Sequence, residues 1–160
     1  MIGKLFIVAT PIGNLSDITL RAIDILKSVD IVLAEDTRHS KKLFTHYEIT
    51  TSIRALHEHN EREKTDSIIA EINDGKQVAL ISDAGTPLIS DPGFVLVSTA
   101  KKEGIDVVPI PGPSALITAL SASGLAIDKF TFFGFLPSRQ AARLKMLQAK
   151  TNLQETIIFY

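Results

Sequence analysis

Apolar and polar residues alternate in blocks along this chain, and the blocks predict strands and helices in turn. Short apolar runs typical of buried parallel strands occupy residues 4–9, 31–34, 52–56, 77–81 and 107–110. Segments with helical periodicity lie between or after these runs, at residues 17–29, 40–46, 93–102 and 115–123. A further helix is predicted to begin after the cap residue Asn60 and to end before Gly75. This order predicts an α/β domain with a largely parallel open sheet and flanking helices.

The pattern changes near residue 126. From there it predicts one strand at residues 130–135, one helix at 138–150 and one strand at 156–160. A single strand–helix–strand unit is too small to bury a core of its own. We therefore expect a complete first domain over residues 1–125 and the incomplete beginning of a second α/β domain over residues 126–160, so that the chain is a truncated form of a longer protein.

Three loops rich in Gly, Pro, Ser and Asp follow predicted strands. Their sequences are ATPIGNLSD at residues 9–17, SDAGTPLISDPG at 82–93 and PGPSALITALSASG at 111–124. Ligands of open parallel sheets bind beyond the carboxyl ends of the strands, where glycine allows close backbone approach and proline fixes the loop shape. The alternative is that these residues only shape turns. Neither GxGxxG nor GxxxxGK[ST] occurs, so a dinucleotide fingerprint and a P-loop are not supported.

Two carboxylates come directly after a buried predicted strand. Alternation along the strand at residues 31–34 puts Glu35 and Asp36 on opposite sides, so only one should face the ligand edge, where a carboxylate can act as a general base. Arg38 could bind phosphate or orient that carboxylate. Alternatively, Asp36 caps the next helix and Arg38 pairs with it. Asp83 could also act at the ligand edge, or its carboxylate could instead accept hydrogen bonds from backbone amides of its own loop.

The segment HEHNE places His57 and His59 on either side of Glu58. On an extended segment both imidazoles lie on one side, which suits acid–base work or phosphate binding. A metal is the weakest interpretation because no third and fourth ligands cluster nearby, so no metal site is predicted. The alternative is an exposed, polar strand end. His39 and His46 are expected to be surface residues.

Composition narrows the function classes. With 45% hydrophobic and 22% charged residues, the chain has an ordinary globular composition, and no apolar run reaches the roughly 20 residues of a membrane span. The absence of cysteine excludes disulfides and cysteine-ligated zinc, and a cytoplasmic location is the default expectation. The net charge of −1 hides a basic segment at residues 129–154, which contains five lysines and arginines and no acidic residue. This segment could meet phosphate, or it could simply be a solvated helix face.

Six motifs in order carry a family resemblance: VATPIGNLSDIT, AEDTRHSKKL, HEHNE, SDAGTPLISDPG, PGPSALITALSASGL and FFGFLP. Together they resemble the ribosomal RNA small subunit methyltransferase I family, a branch of the tetrapyrrole-methylase-like (class III) S-adenosylmethionine methyltransferases. The resemblance implies two α/β domains with the methyl donor in the cleft between them, usually in a homodimer. It also implies 2′-O-methylation of a cytidine in bacterial small-subunit (16S) ribosomal RNA, with that RNA or the small ribosomal subunit as partner.

The residue pattern and the resemblance together predict roles for individual residues. The expected donor-binding residues are Ala9, Thr10, Pro11, Asp83, Gly85, Thr86, Ile89, Ser114 and Ala115. The expected catalytic residues are Glu35, Asp36, Arg38, His57 and His59. The expected RNA-binding residues are Arg38, Lys41, Lys42, Arg139, Arg143 and Lys145.

Two other functions remain open from the sequence. The first is a methyltransferase acting on a tetrapyrrole or another small molecule, although the tetrapyrrole branch has GDP where this chain has Gly85-Thr86-Pro87. The second is a non-catalytic fragment that only binds ligand or only dimerises. Because a full donor pocket needs walls from both domains, we expect the 160-residue chain alone to be weakly active or inactive.

Overall fold

The computed structural model describes residues 2–160 and divides the chain into two compact units. The first unit ends at Ser114, and the second runs from Ala115 to Tyr160. The sequence places the boundary later, after residue 125, and so assigns the helix that follows Ser114 to the first domain. In the structure the contacts of this helix group it with the second unit.

The first unit is an open sheet in which every strand pair is parallel, as predicted. The sheet order is β3-β2-β4-β1-β5. Its elements in chain order are β1 (Lys4–Val8), α1 (Leu20–Ser28), β2 (Ile31–Ala34), α2 (Thr37–His46), β3 (Ser52–Ala55), α3 (Glu61–Asn73), β4 (Val78–Ile81), α4 (Phe94–Lys102) and β5 (Asp106–Ile110).

Both faces of the sheet are buried, because the central strands are apolar at every position. In β2, Val32 and Ala34 pack against α1 and α2, whereas Ile31 and Leu33 pack against α3 and α4. The same alternation runs through β4, where Ile81 belongs to the first cluster and Leu80 to the second. Continuous apolar runs in the sequence therefore correspond to strands covered on two sides.

The winding of the chain produces a crevice at one edge of the sheet. The chain leaves β1 toward α1 on one face and leaves β4 toward α4 on the opposite face, while β1 and β4 are neighbours. Loops that diverge from adjacent parallel strands open a gap beyond the carboxyl ends, which is where ligands of such sheets bind. The chain likewise leaves β2 and β4 toward helices on opposite faces.

Two helix starts differ from the prediction. Asp17 does not cap α1; residues Leu15–Asp17 form a 3-10 turn, and Thr19 caps α1 by accepting the Ala22 amide at 3.1 Å. Helix α2 begins at Thr37 rather than Ser40, because Asp36 caps it. In both places the capping side chain determines where the helix begins, and the pattern of apolar residues does not mark that position.

Helix α4 is capped from a distance, by a carboxylate on another helix. Its N-cap is Gly93, which has no side chain, and Glu61 at the start of α3 accepts the Leu96 amide at 3.0 Å. Glu61 is only 6% exposed. A buried carboxylate is tolerated here because it satisfies an amide at the positive end of α4 and itself lies in the first turn of α3.

Replacing Glu61 by alanine should lower the free energy of unfolding by about 2 kcal/mol, because a cap is lost and a buried amide is left unpaired. Glu61→Gln should lose less, since the amide oxygen still accepts the bond. Urea unfolding measures both values. Glu63→Ala, an exposed change in the same helical turn, is the matched control. Equal losses for Glu61→Ala and Glu63→Ala would show that the contact to α4 does not matter.

The second unit is a parallel strand pair with two helices. It contains α5 (Ala115–Ala122), β6 (Phe130–Phe132), α6 (Gln140–Gln148) and β7 (Thr156–Ile158), and β6 pairs with β7. Both strands are shorter than the predicted segments 130–135 and 156–160. Aromatic contacts join their ends, with the rings of Phe133 and Phe159 stacked at 5.5 Å. The α6 helix buries none of its residues, so its cationic side chains remain available to solvent.

Within residues 2–160, no helix combines the length and the apolar character that a bilayer crossing requires.

Candidate functional site

The loops after β1 and β4 are joined by a short antiparallel bridge at the carboxyl edge of the sheet. Thr10 and Gly85 exchange backbone hydrogen bonds of 2.9 and 3.0 Å, and the Thr10 hydroxyl donates to the Ser82 carbonyl at 3.0 Å. Thr10 is 3% exposed. Its backbone and its hydroxyl therefore hold two of the predicted ligand loops together, and it contributes to a binding surface mainly as a wall.

The loop after β5 joins the same assembly. The Thr86 hydroxyl donates to the Pro113 carbonyl at 3.1 Å, which ties the β4 loop to the PGPS segment. Gly112 lies so close to Ala9 that an added Cβ would sit 2.9 Å from the Ala9 Cβ. The structure thus brings together all three predicted loops of the first unit. Ser114 ends that unit, whereas Ala115 opens α5 in the second.

The β4 loop has an unusual backbone. Leu88 and Ser90 have positive φ angles of 73° and 69°, a region that residues with a Cβ rarely adopt. Leu88 is held by packing against the core on the α3 and α4 face, whereas the neighbouring Ile89 side chain is 42% exposed. Backbone of this kind persists only where the surroundings enforce it, and it clusters at binding sites.

Asp83 links the loops that follow β4 and β2. Its carboxylate accepts the backbone amide of Asp36 at 3.1 Å, a contact that spans 47 positions of sequence. The predicted alternative, in which Asp83 ties down its own loop, is therefore replaced by a bond to the neighbouring strand's loop. This bond brings the EDTR segment to the edge that carries the three loops.

Glu35 and Asp36 point in different directions, as the alternation predicts. Asp36 caps α2 by accepting the Arg38 amide at 2.8 Å, and it pairs with the Arg38 guanidinium at 3.1 Å. The guanidinium and amide bonds lower the pKa of Asp36 to about 2. The alternative, in which Asp36 caps α2 and pairs with Arg38, is therefore confirmed. A carboxylate with so low a pKa is a poor base at neutral pH.

Glu35 has the opposite electrostatic environment. Burial raises its pKa, and the negative charges of Asp83, Asp91, Asp36 and Glu58 raise it further. Burial also raises the pKa of Asp91, partly offset by a hydrogen bond from Ser82 and reinforced by Asp83. A raised pKa brings a carboxylate closer to the proton affinity that a general base needs, so Glu35 is the better candidate of the two.

Two cavities open beside these groups, one on each face of the sheet. The acidic cavity, about 340 Å³, lies on the α3 and α4 face, and its walls include Glu35, Glu58, Glu61 and Asp91. The α2 cavity, about 250 Å³, lies on the other face, and its walls include Thr10, Pro11, His39, Lys42, Ser82 and Asp83. Lys41 lines neither cavity; it borders a third groove together with Glu48.

The prediction of an extended HEHNE segment is wrong. Residues 57–60 form a turn into α3, in which the Asn60 side chain accepts the His57 amide at 2.9 Å and contacts the His57 ring at 3.0 Å. The rings of His57 and His59 are 6.0 Å apart. The Nδ1 atom of His57 is buried and has no partner within residues 2–160. Neither histidine lines the acidic cavity or the α2 cavity.

The remaining predicted residues are cations that the sequence assigns to RNA binding. The Arg38 side chain is 88% exposed. In the second unit, Arg139 and Lys145 are exposed and Arg143 is half-buried on α6. Among the described residues, no group of three or more His, Cys, Asp or Glu side chains is arranged to hold a metal.

Sequence reasoning missed Asp91, Glu61 and His39 as residues of this edge. Asp91 stands in the quoted motif SDAGTPLISDPG, so its position in a strand-to-helix loop was the available signal. Glu61 and His39 carry no such signal, because their placement depends on how α2 and α3 are rotated against the sheet.

Comparison with known proteins agrees with this architecture. A family model described as tetrapyrrole (corrin/porphyrin) methylases matches residues 4–160. The chain belongs to the tetrapyrrole methylase family. The predicted family resemblance is thereby confirmed, and the loops after β1, β4 and β5 are features of a member of this family.

Curated relatives of this chain include proteins named ribosomal RNA small subunit methyltransferase I. The protein from Pseudomonas aeruginosa is 58% identical over 158 residues, which cover 99% of this chain and 56% of the relative. The protein from Escherichia coli O157:H7 is 52% identical, with 99% of this chain and 55% of the relative covered. The chain thus spans a little over half the length of these relatives.

Solved structures support the fold. A diphthine synthase superposes with a TM-score of 0.79 at 15% identity, covering 99% of this chain and 64% of that protein. A uroporphyrin-III-C-methyltransferase from Thermus thermophilus superposes with a TM-score of 0.64 at 24% identity, covering 86% and 65% respectively. At these identities the likeness establishes the tetrapyrrole methylase fold and leaves the substrate open.

Proposed function

We propose that this chain carries the donor-binding and catalytic edge of an S-adenosylmethionine-dependent methyltransferase that methylates the 2′-hydroxyl of a cytidine in small-subunit (16S) ribosomal RNA. The observation that carries the proposal is the joining of three ligand loops by Thr10–Gly85 and Thr86–Pro113 beside a cluster of carboxylates. The names of the curated relatives supply the reaction and the RNA.

The chemistry of this edge fits the proposed donor. S-adenosylmethionine is a cation at sulfur and has a flat, largely apolar base. Carboxylates at Glu35, Asp83 and Asp91 provide negative potential for a cation, and their mutual repulsion would be relieved by one. Ile89 presents exposed apolar surface between Leu88 and Ser90, whose φ angles are positive.

When bound, S-adenosylmethionine supplies an electrophilic methyl group. The protein's contribution is then to hold the donor and the acceptor oxygen in line, since proximity and orientation alone can remove several kcal/mol of the barrier. The loops after β1, β4 and β5 do this for the donor, with Pro11, Gly85, Thr86 and Ile89 as contacts in the first unit. Ser114 and Ala115 continue the third loop toward α5.

Glu35 acts as the general base in this proposal. A ribose hydroxyl is a weak nucleophile at neutral pH, and a carboxylate that accepts its proton as the methyl group transfers lowers the barrier. Asp36 does not share this role, because its pKa is about 2 and its oxygens are bound to Arg38. Asp36 and Arg38 instead fix the start of α2 next to the base.

The cationic side chains contribute attraction to the RNA backbone. Arg139, Arg143 and Lys145 lie on or just before α6, which leaves them available to phosphate. Lys41 and Lys42 add the same attraction to phosphate from α2. The homodimer that the resemblance implies and the cytoplasmic location expected from the sequence are kept as part of this proposal.

The test is a chimaera in which this chain replaces the matching 158 residues of the Pseudomonas aeruginosa relative. The chimaera is incubated with methyl-labelled S-adenosylmethionine and 30S subunits from cells that lack the modification. Digestion of the RNA to nucleosides should yield labelled 2′-O-methylcytidine. The 160-residue chain alone, assayed in parallel, should give little or none.

The unaltered relative serves as the positive control, and a tetrapyrrole acceptor replaces RNA in a second arm. Transfer to the tetrapyrrole with none to RNA would assign the chain to small-molecule methylation. Transfer to neither acceptor, by a chimaera that folds, would contradict a catalytic role.

A further inference from the structure

Helix α2 presents two cationic or potentially cationic side chains to the α2 cavity. His39 and Lys42 are three residues apart, which places them on the same side of the helix, and both line the cavity. Lys41 is adjacent to Lys42 in sequence but borders the separate groove that contains Glu48. The sequence alone does not distinguish the two lysines, whereas in the structure they line different cavities.

The charge of Lys42 has no partner in the part of the chain that the structure describes. The ion pairs of residues 2–160 are Lys4–Asp106, Arg38–Asp36, Arg54–Glu71 and Lys76–Glu71. The floor of the α2 cavity is apolar, with Ile81 2% and Leu43 6% exposed. Apolar side chains do not compete with an anion for the hydrogen bonds of the Lys42 ammonium.

The two walls of the cavity differ in polarity. His39 and Lys42 lie on the α2 wall, while Ser82 and Asp83 lie on the β4 wall. One ligand that matches both walls carries an anion at one end and hydroxyl donors at the other. A ribose with its phosphodiester has this pattern, since the phosphate suits the α2 wall and the sugar hydroxyls can donate to the Asp83 carboxylate.

The size of the cavity also favours a small unit. Its volume of about 250 Å³ lies below the roughly 300–1,000 Å³ of pockets that enclose a drug-sized ligand. It therefore suits one sugar-phosphate rather than a whole methyl donor. Along the sheet edge the cavity lies between the loops of β1 and β4 and helix α2, whereas the joined donor loops extend to β5.

We propose that the α2 cavity binds one phosphodiester and ribose of the acceptor RNA, with Lys42 and His39 holding the phosphate. This assignment rests on the proposed function. It makes Lys42 and His39 positioning residues that hold the acceptor sugar beside Asp83. The Asp83 carboxylate accepts the Asp36 amide and so borders the loop that carries Glu35. It also predicts that Lys42 contributes more to RNA binding than Lys41, although both are exposed.

The test is fluorescence anisotropy with a labelled single-stranded RNA of about ten nucleotides that contains cytidine, titrated at several salt concentrations. Lys42→Gln should weaken binding about three- to tenfold and reduce the slope of log affinity against log salt by about 0.7, the value for one phosphate contact on a single strand. His39→Gln should weaken binding in the same direction. Lys42→Arg should retain most of the affinity.

Lys102→Gln is the matched charge control, because Lys102 is an exposed lysine in the last turn of α4. Lys41→Gln tests the distinction within α2. Equal losses for Lys42→Gln, Lys41→Gln and Lys102→Gln would indicate general attraction and overturn the subsite. Thermal melts of each variant exclude loss of folding as the cause.

A parallel titration with S-adenosylhomocysteine separates this proposal from the proposed function. If the chain binds S-adenosylhomocysteine and RNA but Lys42→Gln has no effect on RNA, the subsite is wrong and the methyltransferase assignment stands. If neither the chain nor the chimaera binds S-adenosylhomocysteine, the proposed function itself fails, and the subsite fails with it.

Discussion

Gly93→Ala should destabilise the first unit by about 2–6 kcal/mol. Gly93 has a φ of +123°, where a side chain costs about 1–3 kcal/mol, and an added Cβ would lie 2.6 Å from the Leu80 Cδ2 atom. Leu80 is 1% exposed and belongs to the core on the α3 and α4 face, so the added Cβ forces a shift within that core. Overpacking of this kind adds roughly 1–3 kcal/mol. Urea unfolding followed by circular dichroism measures the loss.

Gly104→Ala is the control for the backbone contribution alone. Gly104 also has a positive φ, of +76°, but an added Cβ there meets no atom within 4 Å. Its loss should be about 1 kcal/mol, the ordinary cost of placing alanine in a left-handed position. Similar losses at the two glycines would mean that Leu80 relaxes easily and that the loop before α4 is less tightly packed than the structure indicates.

Glu35→Gln should reduce the methyl-transfer rate of the chimaera about 10²–10⁴-fold, the usual contribution of a general base. The amide keeps the size of the carboxylate but cannot accept the proton of the ribose hydroxyl. Binding of S-adenosylhomocysteine and RNA should change far less than the rate. Single-turnover methylation at saturating donor and RNA measures the chemical step. A rate within about threefold of the unaltered chimaera would remove Glu35 from the base role.

The same substitution should make the isolated chain more stable at neutral pH. The pKa of Glu35 is raised in the folded state by burial and by Asp83, Asp91, Asp36 and Glu58. Between the unfolded value of 4.5 and the raised folded value, the folded state binds more protons, so stability falls as pH rises through that range. Above it, the ionised carboxylate destabilises the fold, and Glu35→Gln removes that penalty.

The melting temperature of Glu35→Gln should therefore exceed that of the unaltered chain at pH 7, and the gap should close as pH falls toward the unfolded pKa. Asp66→Asn, on the exposed side of α3, removes one negative charge elsewhere and should show no comparable gain. If the melting temperature of Glu35→Gln is instead lower than that of the unaltered chain at pH 7, Glu35 makes a net stabilising contact that outweighs repulsion by its neighbours. If Glu35→Gln is more stable but inactive, the ionised Glu35 side chain destabilises the fold and is retained because methyl transfer requires it.

Much of the fold follows from the sequence. The apolar runs before residues 35 and 82 could only be strands covered on both faces, and the strands so predicted form the parallel sheet. Helix starts were less certain, because Thr19 and Asp17 are both good caps and only the 3-10 turn before Thr19 decides between them. The loops were located because Gly and Pro mark turns wherever they occur after a strand.

The arrangement of side chains within the site could not be derived in the same way. Asp36 and Asp83 meet across 47 positions of sequence, and Glu61 caps a helix that begins 33 residues later, at Phe94. Such contacts depend on sheet order, which periodicity does not specify. The separation of Lys41 from Lys42 depends on the rotation of α2. The sequence marks Asn60 as the cap of α3, but its side chain accepts the His57 amide instead. This bond turns a segment that the sequence predicts to be extended.

The most direct measurement is calorimetric titration of S-adenosylmethionine and S-adenosylhomocysteine into the 160-residue chain, beside the chimaera. We predict saturable binding of one ligand per chain to both proteins, because the three joined donor loops belong largely to the first unit. Binding by the chimaera with none by the chain would contradict the placement of the donor site on these loops. Binding by neither protein would contradict the methyltransferase assignment.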